Sequence, residues 1–271
     1  MNRECAYCGK AGPLTKEHIV PAFLSRRFPE IDTGIPPKSK HVAKFEGTMR
    51  DVCSNCNSGP LSELDAYAQS FVEQNKLHRT FHLKRPSILV TYDYERLLRW
   101  LLKVSYNAMR TADRDIATIS QCKGFILGSE SLPYYPEIFV EVIRNMPIPD
   151  RARHKLPSSI KNAESLTAHR FRVGTFGFPG SEASSVCRFV AINAFYFYLM
   201  LLPSTLRSEK RDQIFVGFRK AVRYALRLRA DRKAVSVKVS KNTLDDVYRE
   251  QFVREWPAWK EYFANTDLND L

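Results

Sequence analysis

Two Cys-x-x-Cys pairs lie near the amino terminus, Cys5 and Cys8 in CAYC and Cys53 and Cys56 in CSNC. Each two-residue spacer lets one tight turn direct both sulfur atoms towards the same ion. Four thiolates satisfy the tetrahedral coordination that zinc prefers. In a reducing compartment such pairs indicate zinc rather than disulfides. We therefore predict a structural Zn²⁺ site at these four cysteines.

A Glu-His pair, Glu17 and His18 in LTKEHIVP, lies between the two cysteine pairs. An imidazole can accept the proton of an attacking water near neutral pH. A neighbouring carboxylate suits Mg²⁺ or Mn²⁺, which would offset the charge on a phosphodiester. Adjacent residues of a strand point to opposite faces. The two side chains can therefore share one site only if the strand ends or bends there, which the nearby Pro21 favours.

The amino-terminal segment resembles the HNH family of nucleases in their zinc-stapled form. The resemblance lies in the order and spacing of three motifs and a following helix, CAYC, LTKEHIVP and VCSNCN. The resemblance covers residues 5–75 and implies a ββα-metal core. LTKEHIVPAFL and CNSGPLSELD are also similar to a bacterial branch of this family, in which a downstream helix often carries Trp-x-x-Lys. Residues 100–103, WLLK, fit that pattern.

The resemblance implies a role for each matching residue. Glu17 corresponds to the ligand of a catalytic Mg²⁺ or Mn²⁺, His18 to the general base, and Asn57 to the last position of the motif, which faces the metal. The middle asparagine of the motif, which normally orients the base, is absent between His18 and the second cysteine pair. Thr48 stands in its place, and Asp51 is a second candidate for that role.

Each of these residues also has a purely structural interpretation. His18 could be a partly exposed histidine or a further zinc ligand, Glu17 a surface carboxylate, and Asn57 a helix N-cap. Glu63 and Asp65 are outside candidates for a ligand, and we expect both to lie on a solvated helix face.

The remaining histidines and cysteines carry weaker signals. His41 lies in the loop between the cysteine pairs and could contact phosphate. His78 and His82 form a pair four residues apart, a spacing that could bind metal, but no third ligand is apparent and both are interpreted as structural or as part of a basic surface. The single cysteines, Cys122 and Cys187, lie in apolar stretches and are predicted to be core residues, since a free cysteine behaves as a small hydrophobe.

The formal net charge of +13 favours a polyanionic partner, either nucleic acid or an anionic membrane surface. Residues 203–241 hold twelve basic and three acidic side chains, a surplus of nine. We predict DNA contacts from two basic helices, with a solvated basic face as the alternative. The predicted contacts are Arg96, Arg99 and Lys103 on one helix and Arg219, Arg223 and Arg227 on the other.

The longest apolar run, residues 186–202, contains Arg188 and Asn193. A buried strand pair or core helix is a better interpretation than a membrane span, which needs about 20 apolar residues. No signal-peptide pattern begins the chain, so we expect a cytoplasmic protein without a membrane partner.

Periodicity and turn residues predict an α+β fold. A small zinc-bound ββα-metal module (1–76) is expected to precede a mixed α/β domain (77–271) with a DNA-binding or specificity role. Helices are predicted at 58–76, 94–111, 212–229 and 244–256. Strands are predicted in KGFILG, EIFVEVI, HRFRVGTFG, CRFVAINAFYFYLMLL and AVSVKVS.

These patterns predict a metal-dependent endonuclease that hydrolyses phosphodiester bonds in DNA. Membership of the resembled family would imply a restriction or phage-defence effector. Two alternatives stay open, a non-catalytic zinc protein that binds nucleic acid and an RNA-directed nuclease. Homodimerisation or a partner protein is equally open, and nothing marks sequence specificity because no recognition helix is evident.

Overall fold

A computed structural model gives the fold of most of the chain. It describes residues 4–27, 33–34, 43–44, 47–79, 86–111, 117–144, 146–147, 165–166, 171–178 and 186–243. His41, His82 and the helix predicted at 244–256 lie outside the described residues.

The amino-terminal part is an antiparallel strand pair followed at once by helix. Strand β1 (Leu14–His18) pairs with β4 (Thr48–Cys53). The described elements between them are α1 (Ala22–Arg27), β2 (Thr33–Gly34) and β3 (Ala43–Lys44). After β4 come α2 (Ser54–Cys56), a π-helical turn (Asn57–Leu61) and α3 (Ser62–Gln74). The helix predicted after the second cysteine pair is therefore present.

The rest of the described chain forms a mixed sheet, a separate pair of two-residue strands and several helices. The helices are α4 (Tyr94–Thr111), α5 (Ala117–Ser120), α6 (Lys123–Leu127) and α7 (Ser208–Ala221). The strands are β5 (Ser87–Thr91), β6 (Tyr134–Arg144), β7 (Met146–Pro147), β8 (Ser165–Leu166), β9 (Phe171–Thr175), β10 (Val186–Ile192), β11 (Phe195–Pro203), β12 (Leu226–Leu228) and β13 (Ala234–Thr243). The mixed α/β class is confirmed.

The main sheet runs in the order β5-β13-β6-β11-β10-β9, with β12 also paired to β6. Its described pairs are antiparallel except β13 with β6. The hairpin β10–β11 is buried along almost its whole length, so the apolar run is a buried strand pair, one of the two interpretations favoured from its sequence. Within the described part of the chain, every helix is too short or too polar to cross a bilayer.

Helices cover both faces of the sheet. Phe197 on β11 contacts Phe71 of α3, whereas its neighbour Tyr198 contacts Phe218 of α7, because adjacent strand residues point to opposite faces. Trp100 of α4 packs against Phe171 at the edge of the sheet. Antiparallel pairing places Phe171 on the same face of the sheet as Phe197. Helices α3 and α4 therefore pack on this face of the sheet, and α7 packs on the opposite face.

Helix α4 has the predicted bounds, but its surroundings differ from the prediction. Every residue from Leu97 to Asn107 except Arg99 is buried, on the polar side as well as the apolar side. Lys103 and Arg110 lie on the covered polar side, because α3 and the amino-terminal strands pack against it. The helix therefore lies between the sheet and the cysteine-bearing hairpin.

Two predicted elements are wrong. Residues 123–127 form a helix rather than a strand, and Gly128 ends it in the left-handed region with φ 79°. The helix predicted at 212–229 ends at Ala221, and β12 follows as a strand on β6. Arg219, Arg223 and Arg227 therefore do not form one helical stripe, since pairing with β6 overrides the helical spacing.

The buried apolar residues form one cluster that runs from Cys5 to Val237. It includes residues on both sides of the boundary predicted after residue 76. Tyr106 of α4, for example, donates a hydrogen bond of 2.8 Å to the carbonyl of Ala6. The proposed division into 1–76 and 77–271 remains a prediction, and the described parts of both segments share a core.

Trp100 is fully buried at the centre of this arrangement. Trp100→Ala should lower the free energy of unfolding by about 3–5 kcal/mol, because it leaves a large cavity between α4 and the sheet. Urea denaturation measures this. Arg96→Ala on the exposed side of the same helix is the control and should change stability by less than about 0.5 kcal/mol. Equal stabilities of the two variants would contradict the central position of α4.

Candidate functional site

The four paired cysteines converge as their spacing predicted. Their sulfur atoms all lie within 4.8 Å of one another. The Sγ atoms of Cys8 and Cys53 are 3.8 Å apart. A tetrahedral zinc with Zn–S bonds of about 2.3 Å has sulfur–sulfur edges of about 3.8 Å, so the donor set fits a structural zinc ion. Within the part of the chain that the structure describes, this is the only such group of His, Cys, Asp and Glu side chains.

Backbone N–H groups donate hydrogen bonds to a cysteine sulfur of the cluster and lower the pKa of that thiol. The N–H of Cys53 donates to Sγ of Cys5 at 3.3 Å. Burial raises the pKa of Cys5, but hydrogen bonds from backbone N–H groups, including those of Cys8 and Tyr7, outweigh it and lower that pKa to about 6. Burial raises the pKa of Cys56. The lowered pKa of Cys5 favours its thiolate, which is the form that binds zinc.

The first cysteine pair is attached directly to β4. The N–H of Ala6 donates to the carbonyl of Asp51 at 2.8 Å, and the N–H of Gly9 closes the turn onto Cys5 at 2.9 Å. Gly9 has φ 71°, a conformation that glycine adopts without strain. The turn and the strand thus hold the two cysteine pairs opposite each other.

Glu17 and His18 point in opposite directions. Glu17 is buried, with 4% of its surface exposed, whereas His18 is exposed. Strand β1 ends at His18, and Thr48 lies across from it on β4. The alternation of an extended strand explains the difference, because the Glu17 side lies against α4 and the His18 side faces solvent.

Glu17 is part of a buried ion-pair group. Its Oε1 lies 3.0 Å from the ammonium of Lys103. The same ammonium lies 2.6 Å from Asp65 and 3.3 Å from the carbonyl of Leu61. The expectation of a solvated helix face is wrong for Asp65, because the helix places it against a buried lysine. A buried charge needs such partners to offset lost hydration.

Asn107 connects the Glu-His pair to α4. Its amide group donates 3.0 Å hydrogen bonds to Oε1 of Glu17 and to the backbone carbonyl of His18. Its Oδ1 accepts 2.6 Å hydrogen bonds from the hydroxyl of Tyr7 and from Arg110. Both ends of the amide are therefore engaged, which fixes its orientation.

Arg110 extends this network to β4. It forms an ion pair with Asp51 and lies over the rings of Tyr7 and Tyr106, 5.3 and 4.8 Å from their centroids. Burial raises the pKa of Tyr7 well above its usual range, so Tyr7 remains a hydroxyl donor. Asp51, a candidate for orienting His18, instead binds the arginine of α4.

Asn57 braces β1 from the π-helical turn. Its amide group donates to Oγ1 of Thr15 at 2.8 Å and to the carbonyl of Lys16 at 2.9 Å. These bonds reach β1, so the side chain does not serve as the alternative N-cap. Asn57 therefore holds the strand whose end carries His18.

The predicted DNA-contacting arginines and lysine are only partly on the surface. Arg96, Arg219 and Arg223 are exposed. The prediction that Lys103 contacts DNA is wrong in this conformation, because 1% of its side chain is exposed. Arg99 is half-buried and donates to a backbone carbonyl of α6.

Arg227 is half-exposed and forms an ion pair with Glu137 across β12 and β6. Burial raises the pKa of Glu137, and Arg227 opposes that rise. His78, the described member of the His78–His82 pair, is half-buried, and burial lowers its pKa.

Sequence reasoning missed Asn107 and Tyr7, and it assigned Lys103 to the wrong environment. One signal was available, because Lys103, Asn107 and Arg110 follow one another at helical spacings of four and three. The basic residues of that helix were interpreted as a DNA-binding surface, with a solvated basic face as the alternative. An asparagine between two cations on a stripe is equally typical of a buried polar network.

Comparison of the chain with family models, curated proteins and solved structures finds no match. Its function must therefore be inferred from its own residues and their geometry.

Purified protein should hold about one zinc ion per chain. Cys8→Ala should lose that ion and lower the melting temperature, because the turn is then no longer tied to β4. Elemental analysis and thermal unfolding measure both effects. Cys122→Ala, at a buried cysteine remote from the cluster, is the control and should retain zinc. Equal zinc content in the two variants would contradict the four-cysteine site.

Lys103→Met should destabilise the fold by about 3–5 kcal/mol, because it leaves the carboxylates of Glu17 and Asp65 without their buried cation. Arg96→Met on the same helix is the matched control, since its side chain is 64% exposed, and should change stability little. Urea denaturation of the two variants compares the sites. A loss below about 1 kcal/mol at Lys103 would show that the carboxylates do not depend on it.

Proposed function

We propose that this chain is a metal-dependent endonuclease that cleaves DNA at the end of β1, with His18 as the general base. The observation that carries the proposal is the placement of His18. It is an exposed imidazole at the end of a strand that is braced on one side by Asn57 and on the other by α4. The cysteine cluster, proposed to bind structural zinc, ties the neighbouring strand to the first turn.

In the proposed reaction, a water molecule attacks the scissile phosphorus and His18 takes its proton. The bond from phosphorus to the leaving oxygen then breaks, and that oxygen takes a proton from solvent water, so the products are one phosphate end and one hydroxyl end. A rigid support for the base matters, because a proton acceptor must lie within hydrogen-bond reach of the water. The hydrogen bonds from Asn57 to β1 and from Asn107 to the His18 carbonyl supply that support.

Glu17 and Asn57 are the residues that we propose to hold the catalytic Mg²⁺ or Mn²⁺. The contacts of Glu17 in the described part of the chain are all made by Oε1, and those of the Asn57 side chain by its amide nitrogen. We propose that the cation binds the other oxygen of each side chain, because Mg²⁺ typically takes one or two carboxylates together with water and phosphate. Such a cation supplies Lewis-acid stabilisation of the phosphate charge.

The substrate is proposed to be DNA because of the charge of the chain. The net charge of +13 and the exposed Arg96, Arg219 and Arg223 favour a phosphate backbone. Thr48 lies beside His18 on β4 and is proposed to contact substrate or water at this position. A cytoplasmic restriction or phage-defence effector is the proposed setting, and RNA is the alternative substrate.

The burial of Glu17 favours one other candidate, a zinc-stapled protein that binds nucleic acid without cleaving it. In that case, Glu17 serves only as the partner of Lys103 and Asn107. His18 would then be a surface histidine, and no second metal would be required.

Wild-type protein should cleave plasmid DNA in Mg²⁺ or Mn²⁺, and His18→Ala should reduce the rate by about 10²–10⁴-fold, the usual contribution of a general base. The cleavage rate is measured from the amounts of supercoiled, nicked and linear plasmid on a gel. His78→Ala, at a half-buried histidine of a turn after α3, is the matched control and should retain activity. A parallel assay on RNA of the same sequence separates the two substrates.

The two candidate functions predict different results in this assay. Equal cleavage by wild type and His18→Ala would refute His18 as the base. Salt-dependent binding of DNA and RNA without cleavage of either, unchanged by His18→Ala, would establish the non-catalytic candidate.

A further inference from the structure

A single side chain of α4 holds both members of the Glu-His pair. Asn107 is 1% exposed and lies ninety residues after Glu17 in the chain. Its two amide hydrogens are both used, one on the carboxylate of Glu17 and one on the backbone carbonyl of His18, each at 3.0 Å. No other described residue bonds to both of these groups.

The opposite end of the amide is held equally firmly. The hydroxyl of Tyr7 and the guanidinium of Arg110 both donate to Oδ1 at 2.6 Å. Two donors on the oxygen require the amide nitrogen to point towards Glu17 and His18. Tyr7 lies between Cys5 and Cys8, so the orientation of Asn107 also depends on the turn that carries the first two cysteines.

We infer that Asn107 is the positioning residue of the proposed nuclease, and that it does from α4 what the absent asparagine would do from within the hairpin. This inference rests on the proposed function. By fixing the His18 carbonyl, Asn107 fixes the backbone from which the imidazole projects. By donating to Oε1 of Glu17, it fixes the carboxylate that is proposed to hold the cation. Asn107 acts through these two residues and does not itself contact substrate.

The position of Thr48 agrees with this assignment. Thr48 pairs with His18 across β1 and β4, which places it beside the base as a strand neighbour. The hydrogen bond to the His18 carbonyl comes instead from Asn107, on the other side of β1. The supporting amide therefore reaches the same backbone from a remote helix.

Two substitutions separate loss of the amide donors from a change of charge. Asn107→Asp keeps an acceptor for Tyr7 and Arg110 but cannot donate, and Asn107→Leu is uncharged and of similar shape. Both should lower kcat for plasmid cleavage by about 100-fold, with KM for DNA little changed, because a small displacement of a catalytic group costs about that much. In NMR spectra of histidine-labelled protein, the His18 signals should move in both variants.

Asn75 provides the matched control. It is a buried asparagine at the end of α3, whose amide donates 2.9 Å hydrogen bonds to the carbonyls of Phe71 and Thr91. Asn75→Asp and Asn75→Leu remove equivalent bonds and should cost similar stability. They should leave kcat and the His18 signals unchanged at temperatures where the protein stays folded.

The hydrogen bond from Tyr7 to Oδ1 of Asn107 can be tested separately. Tyr7→Phe removes one donor to Oδ1 and should lower kcat by a smaller factor than the Asn107 variants. In the double variant with Asn107→Leu, the effects should be non-additive, because the hydroxyl then has no amide to orient.

The inference is overturned if the Asn107 variants keep wild-type kcat and His18 signals, or if the Asn75 variants lose kcat equally. Failure of the proposed function has a different signature, since wild-type protein would then cleave neither DNA nor RNA. In that case, the His18 signals alone decide whether Asn107 positions this residue. Movement of those signals in both Asn107 variants but neither Asn75 variant supports the inference, and equal spectra refute it.

Discussion

The ammonium of Lys103 is buried between the carboxylates of Glu17 and Asp65, and the placement of the candidate site depends on this contact. It joins β1, α3 and α4 at one point. A charge buried this deeply is stable only when its partners lie close and are themselves held. The lysine therefore sets the position of the hairpin relative to the helix, and the helix in turn is packed against the sheet through Trp100.

The same polar network explains why the Glu-His pair is divided between two environments. The side of β1 that carries Glu17 lies against the polar stripe of α4, and the side that carries His18 is open to solvent. Lys103 and Arg110 bring two positive charges to this network, and Glu17, Asp65 and Asp51 bring three negative charges. The net charge of these five groups is one negative, which favours a cation near Glu17 and is consistent with the proposed role of that carboxylate.

Much of the fold was predictable because it follows from short-range patterns. The bounds of α4, the helix after the second cysteine pair and the buried pairing of β10 with β11 agree with periodicity and apolar runs. The errors arose where tertiary contacts overrode local preference. The end of α7 gives way to a strand because β6 has an edge to pair with, and residues 123–127 form a helical turn closed by Gly128.

The sequence by itself predicted the convergence of the four cysteines, since each two-residue spacer brings two sulfurs together in one turn and two such pairs complete a tetrahedral zinc site. It also indicated that Glu17 and His18 could share one site only if the strand ended or bent there, because adjacent strand residues point to opposite faces. Only the tertiary structure decided which side is buried and what covers it. Helical spacing identifies the stripe of Lys103, Asn107 and Arg110, but it carries no information on whether solvent or another element lies opposite. Here the hairpin lies opposite, so a stripe interpreted as a DNA-binding surface is instead the internal support of the candidate site.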